Sequence, residues 1–388
     1  MSELKRKLIQ RELQLPPNVA EINWSEQKKA DFQRALLNWY AENKKPLPWR
    51  ETRSPYAIWI SEIMSQQTQV ETVMPYYARF MAAFPNLTDL AVADDAELLK
   101  LWEGLGYYSR ARNLKLAAQQ IMTDFSGTFP NDLADILSLK GIGPYTAAAI
   151  ASISFGLAEP AIDGNLLRVT SRLFELEADI SKPSSRKVFD EILRDLISHE
   201  SPGNFNQALM DLGSKVCTPK VAKCEICPLQ DYCAAYEHGT SLNFPVKSKK
   251  LKQKDLYYAA FALQNSLGEY YLEKRAATGL LANMWIFPMN VLSKTEFDEL
   301  LSDGFVKKMP DLPEKILRTE FVGEFTHVFS HQKWHIGIVK AVPEESFEVA
   351  EHFFAEDKKW LTEWSKIPLA GPQVKMFEIL NERKTKLR

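Results

Sequence analysis

The spacing of apolar residues changes near the middle of the chain. From about Trp24 to Tyr236, apolar residues recur every three or four positions, which is the period of helices that bury one face. Beyond a lysine-rich segment, short stretches rich in aromatic and β-branched residues are bounded by Gly or Pro, as in LYYAAFALQN, GEYYLEKR and HQKWHIGIVKAV. The pattern predicts a multidomain protein with an all-α first half and an α+β second half.

These changes in pattern set the expected domain boundaries. We expect an N-terminal arm, a helical domain, a linker, an α+β domain and a tail, at residues 1–23, 24–236, 237–255, 256–372 and 373–388. Five of the eight residues from Lys247 to Lys254 are lysine, so the linker is predicted to be solvated. A plain tether is the simpler interpretation of this segment, and contact with a phosphate backbone is the alternative.

Composition limits the function classes. A chain of 388 residues with 45% apolar and 25% charged content is long enough for two domains with full cores, which excludes a disordered or fibrous protein. The net charge of −2 gives no support to nucleic-acid binding, so any such function depends on local clusters. No apolar run approaches membrane-spanning length, and the start MSELKRKLIQ lacks a secretory apolar stretch, so we expect a cytoplasmic protein without membrane contact.

The cysteines are crowded into one segment. All four occur within 17 residues, with six, two and five residues between successive members, at Cys217, Cys224, Cys227 and Cys233. In a reducing compartment this crowding indicates one metal site with four thiolate ligands rather than disulfides. A single zinc ion is the simpler alternative, but simple zinc ribbons use two close pairs, and only one is present here.

A glycine-containing turn lies in the stretch LSLKGIGPYTAAAIASISF. It predicts a helix, a tight turn and a second helix over 137–150, with Gly141 and Gly143 permitting positive φ and close approach of another backbone. Pro144 suits the first turn of the second helix, whose free N–H groups can face a phosphate. An ordinary helix turn is the alternative. Twenty residues after Gly143, Asp163 precedes a new helix, where a capping role and a catalytic role are compatible.

A carboxylate lies close to an apolar stripe in PYAIWISEIMSQQTQVETVMPYYARF. Helical spacing of Trp59, Ile63, Val70 and Val73 places Glu62 beside or within the stripe. One interpretation is an edge residue whose charge reaches solvent or a nearby arginine. The alternative is a general acid, because burial raises the pKa of a carboxyl group.

These motifs together resemble MutY-type adenine DNA glycosylases, a branch of the helix-hairpin-helix and endonuclease III superfamily, over residues 25–370. SEIMSQQT followed by VETV resembles the adenine-glycosylase signature, and the cysteine spacing resembles the loop that holds one 4Fe–4S cluster. GLLANMWIFP resembles part of a MutT-like Nudix domain. The acidic Nudix helix that binds metal is absent from the sequence, so the resemblance implies a domain kept for mispair recognition.

The resemblance implies a base-excision reaction on double-stranded DNA. Adenine opposite 8-oxoguanine or guanine would be flipped out and removed, leaving an abasic site, and the protein would act as a monomer. Glu62 would protonate the base and Asp163 would stabilise the sugar cation. Tyr145 would lie near Asp163 to position water or sugar, with Asn165 in the same catalytic group. Strand-cutting relatives carry a lysine where Tyr145 stands, so we expect a monofunctional enzyme.

The resemblance also assigns residues that contact DNA. Trp49 and Arg50 of PLPWR would line the adenine pocket, Gln67 would read the mispair, and Tyr107 would enter the duplex. Phosphate contacts are expected from Gly141, Gly143, Arg110 and Arg112, and recognition of the oxidised guanine from Phe329, Ser330 and His331. For these last three residues, a polar β-turn is the alternative.

One departure from the family pattern, one further motif and two rival interpretations bear on this resemblance. Ser65 stands where the family commonly has an apolar wedge, which puts local intercalation in doubt. His327, His331 and His335 are spaced four apart, but the residues between them favour strands over a metal-binding helix. Two rivals remain: an endonuclease III-type pyrimidine glycosylase and lyase, and a non-catalytic DNA-binding or redox-sensing iron–sulfur protein. Tyr145 and the second domain disfavour the first, and the pairing of Glu62 with Asp163 disfavours the second.

Overall fold

A computed structural model describes residues 24–248, 253–304, 306, 310, 312, 316–329, 331–343, 357–362, 367 and 369–386. The helices within these ranges are α1 Glu26–Asn43, α2 Pro55–Ser65, α3 Val70–Ala83, α4 Leu87–Val92, α5 Asp95–Leu101, α6 Ser109–Asp124, α7 Leu133–Ser138, α8 Pro144–Phe155, α9 Gly164–Leu173, α10 Arg186–Leu196, α11 Pro202–Lys215, α12 Ala234–Glu237, α13 Lys294–Asp303 and α14 Gly371–Lys386. The strands are β1 Lys254–Leu263, β2 Tyr270–Lys274, β3 Trp285–Ile286, β4 Met289–Leu292, β5 Ile316–Val328, β6 Gln332–Pro343 and β7 Lys358–Leu361.

Contacts group the chain into two units. The first contains the described residues up to Ala93 and from Arg112 to 248, and the second contains 94–111 with those from 253 onward. The division after the first unit falls inside the segment 237–255 that the sequence predicts as a linker. The placement of 94–111 with the second unit has no counterpart in the sequence pattern.

The first unit is helical, as predicted. Its main core contains fully buried side chains from α1, α9, α10 and α11, including Phe32, Leu166, Phe189 and Phe205. Burial of large aromatic and aliphatic side chains of this kind is the dominant stabilising contribution to such a core. At Gly203 a Cβ would lie 2.7 Å from Cα of Ile153, so glycine is needed for the close approach of α11 to α8.

The helix predicted through Glu62 is two helices. The sequence pattern treats Trp59 to Val73 as one apolar stripe, but α2 ends at Ser65 and α3 begins at Val70. Between them Gln67 has a φ of 58°, a left-handed conformation that interrupts the helical hydrogen bonds. Ile63 and Val73 are both buried, so buried residues continue on both sides of the break. The spacing of apolar residues alone therefore did not reveal the break.

The second unit is α+β, as predicted, with two sheets. The larger sheet has the order β4-β1-β6-β5, in which β1 and β6 are parallel and the outer pairs antiparallel, and the smaller has the order β3-β2-β7. One core contains Leu272, Ile336 and Phe377, and the opposite face of β1 and β6 packs against Leu300 of α13. Among the described residues, no helix is long and apolar enough to cross a bilayer.

The segments predicted as a linker and a tail contain residues that pack against the two units. In the predicted linker, Ile180 donates a backbone hydrogen bond to Val246, and Ser248 bonds to Asp179, so its first part belongs to the helical unit. The predicted tail is most of α14, which buries Phe377 and Leu380. Apolar residues three positions apart in this segment give the helix one buried face. The N-terminal arm predicted over 1–23 lies outside the described residues.

Candidate active site

Glu62 lies near the end of α2, half-buried, with its carboxylate facing other helices of the same unit. The start of α2 follows from local sequence, because Ser54 caps it through the N–H of Ala57 and Pro55 occupies its first turn. Tyr145 donates its hydroxyl to Oε2 of Glu62 at 2.6 Å. Burial raises the pKa of Glu62, the charge of Asp163 adds to the rise, and Tyr145 and Arg50 oppose it.

Asp163 is the N-cap of α9, as its position before a helix predicts. One carboxylate oxygen accepts the N–H groups of Asn165 and Leu166, both at 2.8 Å, and the other accepts the side-chain amide of Asn165 at 2.7 Å. Burial raises the pKa of Asp163, although these hydrogen bonds oppose the rise. The cap therefore fixes the carboxylate relative to the helix while leaving it in a poorly solvated environment.

Tyr145 connects the hairpin to Glu62 and is also affected by the charge of Asp163. It is the second residue of α8, directly after Pro144, and its hydroxyl also lies 3.9 Å from Sδ of Met210. Burial raises the pKa of Tyr145 well above its ordinary value, and the charges of Glu62 and Asp163 add to this effect. The phenol therefore stays protonated and acts as a donor to Glu62.

Arg50 pairs with a residue that the sequence motifs did not reveal. It ends a short 3₁₀ helix, Pro48–Arg50, and binds both carboxylate oxygens of Asp211 at 2.8 and 3.0 Å. Burial alone would raise the pKa of Asp211, but the hydrogen bonds and charge of Arg50 outweigh it and lower that pKa. Trp49 is buried and packs edge-on against Tyr77 at 5.0 Å between ring centroids.

A chain of hydrogen bonds joins the Asp163 cap to the cysteine loop. Arg168 donates to Oδ1 of Asn165 at 2.7 Å and to the carbonyl oxygen of Cys217 at 2.8 Å. One turn later on α9, Arg172 donates to Sγ of Cys217 at 3.2 Å and to the carbonyl of Thr218 at 2.9 Å. Both arginines are buried, so α9 links the carboxylate at its N-terminus to the loop beside its C-terminal half.

The four cysteines line a single cavity and form no disulfide. Burial raises the pKa of Cys227 to about 12 and of Cys233 to about 11, and a bound metal centre would displace those protons. The buried guanidinium of Arg172 at the cavity wall compensates thiolate charge, so the donor set fits a multinuclear iron–sulfur centre. Within the described ranges, no three or more His, Cys, Asp or Glu side chains are arranged closely enough to hold a metal ion as they stand.

The hairpin glycines serve different purposes. Gly141 has a φ of 78°, and a Cβ there would lie 2.6 Å from Cβ of Asn113, so both conformation and space require glycine. Gly143 was expected to share a positive φ, but it is the N-cap of α8 with a φ of −99°. No described heavy atom lies within 4 Å of a Cβ built at Gly143, so its outer side is open to another molecule.

Two predicted DNA-contact residues lie at positions with left-handed backbone. Gln67 is exposed between α2 and α3 at a φ of 58°, and Ser65 precedes this break as the last residue of α2. Tyr107, in the second unit, has a φ of 48° and a side chain that is 47% exposed. Left-handed non-glycine residues concentrate at functional sites, so both positions suit contact with a ligand.

The predicted phosphate contact of Arg110 does not match its burial. Arg110 is only 9% exposed, and it donates to the carbonyl oxygens of Leu105 and Gly106 at 3.0 and 3.1 Å. Its guanidinium also lies over the ring of Trp102 at 5.2 Å. Arg110 therefore supports the loop that presents Tyr107, because its donors satisfy the carbonyls of that loop. Arg112 begins the next turn of α6 and is half-buried.

In the second unit, Phe329 and His331 of the predicted recognition loop lie between β5 and β6, which pair antiparallel. The backbone of Phe329 donates to Gln332 at 2.8 Å, and its ring packs against Trp334 at 4.8 Å between centroids. His331 is exposed, and Ser330 lies outside the described residues. His327 and His335 are in strands, as argued from the sequence, and His335 instead pairs with Asp255 at 2.8 Å.

The residues missed by sequence reasoning share one property. Asp211, Met210 and Arg172 act through partners that are distant in the chain, and no local motif marks them. For Asp211, the available signal was a lone carboxylate between apolar residues of NQALMDLG, three residues after Ala208 and next to Leu212, both buried. A charged group in such a position requires a partner.

Comparisons with known proteins agree with these observations. A model for the HhH-GPD superfamily of base-excision DNA repair proteins matches residues 60–195, and a NUDIX domain model matches 259–378. An adenine DNA glycosylase of Buchnera aphidicola from Schizaphis graminum is 34% identical over 308 residues, covering 79% of this chain and 86% of that protein.

Two further proteins are similar to this chain. An adenine DNA glycosylase of Arabidopsis thaliana is 33% identical over 391 residues, which cover 87% of this chain and 61% of that longer protein. A solved thermostable thymine-DNA glycosylase is 29% identical with a TM-score of 0.49, covering 55% of this chain and 98% of that one.

Proposed function

The chain belongs to the adenine DNA glycosylases of base-excision repair, and from that membership we propose that it excises adenine paired with 8-oxoguanine or guanine in double-stranded DNA. The observation that carries this proposal is the half-buried Glu62 carboxylate, which accepts the Tyr145 hydroxyl at 2.6 Å and is affected by the charge of Asp163, with the pKa of both carboxyl groups raised by burial. Perturbed carboxylates that interact with each other are typical of catalytic sites. The product is an abasic site and free adenine.

Glu62 is the proposed proton donor. Adenine is a poor leaving group until protonated, and N7 is the nitrogen that a side chain in the pocket can reach. Transfer of the Glu62 proton to N7 lets the C1′–N9 bond break, with its electron pair leaving on the base. The raised pKa of Glu62 supports this role, because it keeps the carboxyl group protonated at higher pH than an exposed glutamate.

Asp163 is the proposed stabiliser of the oxocarbenium-like sugar. Three hydrogen bonds from Asn165 and Leu166 hold its carboxylate in place, so little reorganisation is needed as positive charge develops. Water then adds its oxygen to C1′ and returns a proton to the Glu62 carboxylate, which restores the starting enzyme. The phenol of Tyr145 positions Glu62, and Asn165 positions Asp163.

The proposed reaction is monofunctional. Strand cleavage by relatives uses a lysine amine that forms a Schiff base with C1′. In this chain the corresponding hairpin position is Tyr145, whose hydroxyl is engaged with Glu62. Water is therefore the proposed nucleophile, and the DNA strand stays intact after adenine is lost.

Mispair and backbone contacts are proposed for residues in both units. Trp49 and Arg50 line the adenine pocket, Gln67 and Tyr107 contact the separated bases, and Phe329, Ser330 and His331 read the oxidised guanine. The open outer side of Gly143 supports backbone contact at the hairpin, as does its position at a helix N-terminus. We propose phosphate contacts for Gly141, Gly143 and Arg112, and a supporting role for Arg110.

One 4Fe–4S cluster is the proposed cofactor, held by Cys217, Cys224, Cys227 and Cys233. When bound, it would supply iron–thiolate bonds that fix the loop 217–233 and place compensated charge beside α9. Arg172 would accommodate the charge of the cysteine sulfurs, since it already donates to Sγ of Cys217.

The proposed function is tested by single-turnover cleavage of a duplex with adenine opposite 8-oxoguanine. Native protein and Glu62→Gln are compared, and strand breaks are scored before and after alkali. Breaks that require alkali and that fall at least about a hundredfold in rate in the variant support the proposal. Breaks without alkali indicate the lyase branch. Binding without breaks indicates a binding protein, and equal rates in both proteins show that Glu62 is not the proton donor.

A further inference from the structure

Asp211 lies beside the candidate active site but belongs to none of the sequence motifs. Its two carboxylate oxygens receive the two terminal nitrogens of Arg50 in a bidentate pair, at 2.8 and 3.0 Å. The Arg50 and Asp211 side chains are only 12% and 11% exposed, so solvent screens this pair weakly. Lys215, one turn later on α11, adds a contact to Asp211 at 3.3 Å.

Arg50 has two carboxylates within electrostatic range. Asp211 occupies its guanidinium fork, and the charge of Arg50 also acts on Glu62, the proposed proton donor. The guanidinium lies 5.5 Å from the ring of Tyr40, which further limits its movement. An arginine that loses one buried carboxylate partner gains by approaching another, because an unpaired buried charge is costly.

Successive residues of α11 contact two of the groups that act on Glu62. Met210 lies 3.9 Å from the hydroxyl of Tyr145, and Asp211 binds Arg50. The charged or titratable groups acting on Glu62 are Tyr145 on α8, Asp163 at the start of α9, and Arg50 from the 3₁₀ helix. Asp211 binds Arg50 directly, and the charge of Arg50 acts on Glu62, so Arg50 connects Asp211 to the proposed proton donor.

We propose that Asp211 is a positioning residue for adenine excision, which holds Arg50 away from Glu62 and thereby keeps Glu62 available as a proton donor. This inference rests on the proposed function. Without the carboxylate at 211, Arg50 pairs with Glu62 and stabilises its ionised form. Less of the enzyme then carries the transferable proton at a given pH, so the alkaline limb of the rate profile moves to lower pH.

The test is the pH dependence of the single-turnover rate with full-length protein and a duplex bearing adenine opposite 8-oxoguanine. In Asp211→Asn the alkaline limb is expected at lower pH. At pH values above the midpoint of the native limb, the ratio of the native rate to the variant rate is expected to be about ten times larger than at neutral pH. Asp211→Glu keeps a carboxylate and is expected to restore the native limb. Asp190→Asn is the matched control, because Asp190 pairs with Arg194 on α10 and does not act on Glu62.

A second set of variants changes Arg50 instead, because Asp211→Asn leaves the Arg50 charge unpaired and can prevent folding. Arg50→Lys retains the positive charge but cannot form the bidentate fork, so its limb is also expected at lower pH than native. In an Arg50→Gln background, adding Asp211→Asn is expected to leave the limb where Arg50→Gln alone puts it.

The outcomes separate the inference from the function. If the native protein is active and the alkaline limb does not move in Asp211→Asn, the role of Asp211 is overturned and the glycosylase assignment stays intact. If Asp211→Asn does not fold, an unmoved limb in Arg50→Lys has the same meaning. A limb that differs between Arg50→Gln and the double variant also overturns it, because Asp211 then acts without Arg50. A native protein that removes no adenine overturns both.

Discussion

The hydroxyl of Tyr145 donates a hydrogen bond of 2.6 Å to Oε2 of Glu62, across 83 residues of sequence. Tyr145 is the second residue of α8, the second helix of the hairpin motif, and Glu62 belongs to the signature helix α2. This contact joins two motifs that the sequence presents separately. It also opposes the effect of burial on Glu62, because a donor to a carboxylate favours the ionised form.

Tyr145→Phe is therefore expected to change the rate and the pH profile in distinct ways. Loss of the donor leaves Glu62 less well positioned, so the plateau single-turnover rate falls about tenfold, the effect of one hydrogen bond to a charged group. The same loss raises the pKa of Glu62 further, so the alkaline limb moves to higher pH. Rates measured across pH check both effects, and a limb that moves to lower pH contradicts this account of the contact.

Asp163→Asn separates the capping role of this residue from its chemical role. Asparagine is a good N-cap, so the free energy of unfolding is expected to change by less than about 1 kcal/mol in urea melts. Removal of the negative charge beside the forming cation lowers the single-turnover rate by about a hundredfold to a thousandfold.

The matched control for Asp163→Asn is Asp132→Asn. Asp132 caps α7 by accepting the N–H groups of Ala134 and Asp135, but it does not act on either carboxylate of the candidate site. Its substitution should leave the rate unchanged. Equal rate losses in the two variants would mean that Asp163 contributes as a cap alone.

Local motifs in the sequence predicted the parts of the site that lie within short windows. The cap at Asp163, the start of α8 at Pro144 and the strands after 253 follow from residues within one or two turns of each other. Such features depend on local hydrogen bonds and fixed backbone angles, so they can be recognised from the sequence alone.

The features that the sequence did not predict depend on partners distant in the chain, or on a helix break that leaves the spacing of buried residues unchanged. The break at Gln67 is hidden because the buried residues on both sides stay in phase, and no Gly or Pro marks it. Arg50 and Asp211 are 161 residues apart, so neither predicts the other. The family resemblance assigned Arg110 to a phosphate, but its guanidinium donates to the carbonyl oxygens of Leu105 and Gly106, partners that the sequence did not indicate.

Metal analysis of the purified protein tests the cysteine loop. Anaerobic preparation is expected to give about four iron and four sulfide per chain, with visible absorbance that bleaches on reduction or loss of the cluster. Arg172→Gln removes the donor to Sγ of Cys217 and is expected to make iron loss by chelation faster. About one zinc per chain, with no sulfide, would instead establish a mononuclear site.

A pair of glycine substitutions in the hairpin distinguishes folding from DNA contact. Gly141→Ala forces a Cβ into a left-handed conformation and against Asn113, so the free energy of unfolding should fall by about 1–3 kcal/mol. Gly143→Ala has an ordinary φ and open space for its Cβ, so stability should fall by less than about 1 kcal/mol.

If the N-terminus of α8 approaches a phosphate, the added methyl group weakens duplex binding several-fold at low salt, because it lies on the side where that phosphate would lie. Urea melts and fluorescence titrations with a labelled duplex measure the two effects on each variant. Unchanged affinity in Gly143→Ala would place the DNA backbone elsewhere, and a large stability loss there would show that Gly143 is required by the fold.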